Sequence, residues 1–138
     1  METVECLELN PAHDFTKWEN TYIEELHALE FKESLGNILL FEDDSIRLWN
    51  LKLNAGERMP FLRHNKNYSW ISENNALLKS RFGNGKISLI RVNKGDTQYF
   101  EHSGKNYIND LENLGETQAI FKVLEYKQEF HDLLPMLN

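Results

Sequence analysis

The chain is poor in the residues that make staples, linkers and membrane anchors. It has a single cysteine, Cys6, so no internal disulfide can form, and a fold without a disulfide framework suits a reducing compartment better than secretion. Cys6 lies among Val4, Leu7 and Leu9 and reads as a small buried or half-buried apolar residue. Three prolines and seven glycines in 138 residues leave no Pro/Gly-rich linker. No repeat or low-complexity tract interrupts the chain either, and one domain is expected. The longest apolar run, Ile38 to Phe41, falls far short of the ~20 residues that span a bilayer. The start M-E-T-V-E lacks the basic and apolar regions of a secretory signal. Basic residues are scarce as well, 15 against 22 acidic for a net charge of −7. They are also scattered, whereas phosphate binding needs a clustered basic surface. These absences together predict a soluble cytoplasmic protein with no nucleic-acid or membrane partner.

What is present is a core. Hydrophobic residues make up 41% of the chain and aromatics 12%, which excludes disorder. Near the N-terminus Phe15, Trp18, Tyr22, Leu26 and Leu29 recur at steps of three and four, the spacing of one helix face. Thr16 and Glu19 fit a capping box, and Asn10-Pro11 offers an earlier start. From Asn37 the period changes to two. Strands are predicted over 38–42, 46–53, 67–72, 76–82, 86–93, 97–102, 107–112 and 117–126. They are separated by turns such as Asp43-Asp44, Gly83-Asn84-Gly85 and Lys94-Gly95-Asp96. Between them, Gly56-Glu57 turns the chain into a short edge carrying one histidine, His64. Residues 129–137 are expected to form a short C-terminal helix. Short strands at near-regular spacing imply an all-β sandwich or barrel.

Two segments then carry a resemblance. Gly56, five further residues, Leu62 and His64 follow the first motif of the cupins, G-x5-H-x-H-x3,4-E-x6-G, with Tyr68 in the glutamate position and Asn75 in that of the closing glycine. Gly95-Asp96, Asn109 and Asn113 follow the second, G-x5-P-x-G-x2-H-x3-N, with Asn109 where histidine is usual and about three extra residues between. The chain therefore resembles the cupin family over about residues 37–126. The resemblance implies an all-β double-stranded β-helix, or jelly-roll barrel, over 37–126. Residues 1–36 would be an N-terminal extension whose helix packs on the barrel, and 127–138 a C-terminal tail.

Cupins typically bind a metal through three histidines and a glutamate. The matching positions here are Leu62, His64, Tyr68 and Asn109, with one strong ligand among them, so neither a metal nor another cofactor is expected. His102 is the nearest histidine that could rebuild a site. By strand parity the resemblance implies a cavity with His64 and Tyr68 as a candidate proton-transfer pair. Trp70, Tyr107, Asn109, Leu62 and Trp49 would be its ligand-binding wall. Arg63 should point outward; Arg81 and Arg91 are the cations within reach of the cavity, should the ligand be anionic. The leading function is a small-molecule-binding cupin, acting as a cofactor-free acid–base enzyme such as an isomerase, epimerase or cyclase. A non-enzymatic ligand-binding or accessory module and a metal-dependent dioxygenase or lyase are the alternatives. A homodimer is expected, with an interface at Trp18 and Tyr22 if those rings are exposed.

Overall fold

From Ile38 onward the alternating pattern is realised strand by strand in the structure, a computed structural model that describes residues 5–29, 35–101 and 107–127. In chain order the elements are β1 (Glu5–Asn10), α1 (Asn20–His27), β2 (Ile38–Glu42), β3 (Ile46–Leu53), β4 (Arg58–His64) and β5 (Asn67–Ser72). They continue with β6 (Ala76–Arg81), β7 (Ile87–Val92), β8 (Thr97–Phe100), β9 (Tyr107–Asn113) and β10 (Ala119–Tyr126). One sheet runs β1-β7-β6-β9-β4, the other β2-β3-β10-β5-β8, and every pairing is antiparallel. Two such sheets facing each other make the jelly-roll barrel.

The core follows from period two. On β10, Ala119, Phe121, Val123 and Glu125 are buried while the residues between them are half-buried, because successive side chains of a strand point to opposite faces. Their cross-strand partners on β3 are Leu53, Leu51, Trp49 and Arg47. With Leu78 and Val92 of the facing sheet, the apolar members of these rows close one end of the barrel. Asn113, fully buried, ties the corner: its Nδ2 donates to the carbonyls of Leu53 (2.9 Å) and Thr117 (2.8 Å).

The N-terminal segment departs from expectation. Glu5–Asn10 is a strand, paired with β7 from Glu5↔Arg91 onward, so the first sheet draws on residues ahead of position 37. Cys6 is exposed, not buried. The helix is short, beginning only at Asn20; Thr16 bonds Asp14 Oδ1 through both its amide (3.0 Å) and its hydroxyl (2.6 Å), and Glu19 makes no side-chain cap. What holds this segment is its rings. Trp18 stacks on Phe61 (6.1 Å between centroids) and donates Nε1–H to the Gly85 carbonyl at 2.9 Å. Gly85 can serve because its φ of +99° suits glycine and a Cβ there would meet the His13 amide at 3.2 Å. Trp18 is thus buried on its own barrel, and Tyr22 is half-buried beneath two guanidinium groups (Arg81 at 3.9 Å, Arg58 at 4.6 Å). Neither ring offers the free interface that exposure would have favoured.

Candidate functional site

The site is set by an irregularity in β4. Pairing with β9 shifts register between Met59 and Leu62, and Pro60 lies inside the shift, where a missing N–H costs no ladder bond. The bulge resets parity, so Met59 and His64, at odd and even positions, both reach the interior. The cavity has a volume of about 390 Å³ and opens to solvent. Its floor is the core itself, Leu51, Leu78, Phe121 and Val123; exposed Cys6, Asn84 and Gln98 mark its mouth.

At depth lies a string of polar side chains whose direction can be worked out. The Ser80 hydroxyl donates to the Asp110 carbonyl oxygen at 2.6 Å, so its oxygen accepts from Asn109 Nδ2 at 3.1 Å. That turns Asn109 Oδ1 toward His64 Nε2, 2.7 Å away, which must then be the protonated nitrogen. The imidazole is therefore the neutral Nε2–H tautomer with Nδ1 as its acceptor atom. Burial pushes its pKa down to about 4, with the Asn109 hydrogen bond opposing in part. The string ends on a backbone carbonyl, which can hold a proton's hydrogen bond but cannot take the proton.

Beside it the rings of His64, Tyr68 and Phe100 form a column. His64–Tyr68 centroids are 4.9 Å apart and Tyr68–Phe100 4.8 Å, inclined by 22° and 16°. The register explains it, since Tyr68 on β5 lies directly across from Phe100 on β8. Trp70, two residues on, meets Phe121 edge to face at 5.2 Å and also lines the cavity.

Of the residues expected at the site, His64, Tyr68, Trp70 and Asn109 come together on the cavity wall. Leu62 is buried opposite Asn109 but is not a lining residue, whereas Met59, on the other side of the bulge, is. Trp49 is also off the wall: its Nε1–H is drawn to Glu125 Oε1 at 2.9 Å. The Tyr107 backbone pairs with His64, while its side chain, His102 and the tail over 129–137 lie outside the described residues. Arg81 turns away from the cavity to Asp110 and Glu112, both at 2.9 Å, and Arg91 is exposed. Arg63 is only half-buried, with its Nε shielded from solvent. Not foreseen in the sequence were the cavity-lining Ser80, Ser88 and Lys86, or buried Glu125, which Arg47 also holds at 3.1 Å. Only the inward parity of Glu125 and Ser80 on their strands could have signalled them.

The donor set does not fit the metal that the resemblance would bring. Leu62 has no donor atom, Tyr68 is packed between two rings, and Asn109 Oδ1 is engaged by the His64 N–H. Among the described residues no group of three or more His, Cys, Asp or Glu side chains is placed to hold an ion.

Solved structures share this fold. A cupin domain from Bordetella pertussis superposes with a TM-score of 0.60 at 14% identity, covering 70% of this chain and 99% of that one. A Klebsiella pneumoniae protein with a double-stranded β-helix domain gives 0.53 at 15%, covering 70% and 82%. The Cnp3 cupin domain of Schizosaccharomyces pombe gives 0.54 at 12%, covering 99% and 95%. No protein-family model and no curated protein sequence matches the chain. At such identities the likeness is one of fold.

Proposed function

Taking the cupin fold as premise, we propose that this chain binds a small organic molecule inside its barrel. The observation that carries the reading is the open interior. Side chains fill most barrels this small, and an unfilled apolar space sacrifices packing. Here about 390 Å³ is kept open, walled by rings and backed by an ordered His64–Asn109–Ser80 string. An apolar lining with few fixed polar groups is what a ligand pocket requires.

The part we assign to His64 is recognition. With its pKa near 4 the imidazole is neutral at pH 7, a weak base suited to hydrogen bonding. Titration calorimetry with indole, a planar neutral probe, tests the site: wild type should bind, and Ile90→Trp, which fills the wall, should abolish binding while the protein stays folded. Undiminished binding by the filled variant would remove the cavity from the reading. Ligand recovered unchanged after incubation supports binding alone. Conversion by wild type and not by His64→Gln would instead support acid–base chemistry with Tyr68.

A second reading, a homodimeric module, rests on β2. Ile38, Leu39, Leu40 and Phe41 are all exposed, by 53, 42, 48 and 51%, on a sheet edge. Antiparallel pairing of β2 with its copy about a two-fold axis would cover them.

A further inference from the structure

Resting on the binding reading, we propose that the ligand is an anion: a compact, mostly apolar ring system with one acidic group held by Lys86 at the cavity mouth. The argument is one of charge placement. The chain carries 22 acidic residues and a net charge of −7, yet no described residue lining the cavity is Asp or Glu, and Lys86 is the one lysine or arginine among them. With no carboxylate in the lining, nothing at the wall opposes an anionic group beside Lys86.

Like Lys52 and Lys79, and unlike the matched cations of the barrel, Lys86 makes no ion pair among the described residues; of these lysines it alone lines the cavity. Arg47 meets Glu42 and Glu125, Arg58 meets Glu25 and Asp110, Arg81 meets Asp110 and Glu112, and Lys122 meets Glu73. Lys86, a half-buried residue, has no carboxylate within ion-pair distance among the described residues; its ammonium lies 5.8 Å from the centroid of the Phe82 ring, itself part of the wall. An ammonium beside an aromatic ring at the cavity wall, with no ion-pair partner there, favours a ligand acid that supplies the opposite charge. The deep end bears only neutral polar groups, so the acid points outward and the ring system inward.

Cys6, the chain's one cysteine, sits exposed at the same mouth and reports occupancy through its rate of alkylation. The test uses the full chain at pH 7 and a matched trio: indole-3-acetate, indole-3-acetamide and tryptamine. Calorimetry should show the acid binding about tenfold tighter than the amide, with the amine weakest, and the acid should slow Cys6 alkylation. Lys86→Gln, checked for an unchanged melting temperature, should bring acid and amide to equal affinity; Lys86→Glu should favour the amine. Equal binding of all three by wild type would overturn the charge inference and leave the cavity reading standing. Failure of all three to bind, with Cys6 alkylation unaltered, would overturn both.

Discussion

His64 changes its environment on folding, and the change has a sign. Its pKa is about 4 in the folded protein against 6.5 in the open chain. Between those values the unfolded state takes up a proton that the folded state refuses, so stability is whole above pH 6.5 and falls as pH drops toward 4. A shift of this size corresponds to about 3 kcal/mol at the acid limit. Urea denaturation at pH 7 and at pH 4.5 should show a smaller loss for His64→Gln than for wild type. An equal loss in both would mean the imidazole is not shielded from water as described.

At the scale of elements, the question is what fastens α1 to the barrel. Glu25 spans both terminal nitrogens of Arg58 at 2.8 Å and accepts the Phe61 amide at 3.1 Å. Hydrogen bonding from Arg58 holds the Glu25 carboxyl below its ordinary value, though burial opposes this. Arg58 and Arg81 both lean on Asp110, which is fully buried, at 2.7 and 2.9 Å. Asp110→Ala takes the fully buried carboxylate from two guanidinium groups, leaving Arg58 with Glu25 and Arg81 with Glu112, and a cost of about 3 kcal/mol is expected in urea denaturation. The α1 amides should also exchange hydrogen faster, since Arg58 is the anchor of Glu25. Protection of α1 as in wild type would show that the Trp18–Phe61 stack fastens the segment by itself.

For the whole molecule, β2 leaves a run of four exposed apolar side chains on a sheet edge. This edge of Ile, Leu, Leu and Phe has none of the lysines or prolines that usually deter edge pairing, although its own register shifts between Leu39 and Phe41. Sedimentation of wild type at micromolar concentration should give a dimer, and Leu40→Lys a folded monomer; a monomeric wild type would discard the dimeric reading. No described helix is long and apolar enough to cross a membrane.

The division between sequence and tertiary structure follows the range of the forces involved. Strands from Ile38 to Tyr126 were legible because alternation and turn chemistry act between neighbours: Asp43 Oδ1 alone captures the amides of Ser45 (2.8 Å) and Ile46 (2.9 Å) to reverse the chain. His64, Tyr68, Trp70 and Asn109 were legible for the same reason, being a parity count along three strands. β1 was not, because a short half-polar edge strand acquires its identity only from β7, some 80 residues away. Nor was the true wall, since the shift of register at Pro60 brings Met59 to it, and Arg81, alternating with inward Ser80, is held by Asp110 and Glu112. Period and turns decided which strands exist and which way their side chains alternate. Register between distant strands decided which side chains share a space, and it left Lys86, not an arginine, facing the cavity.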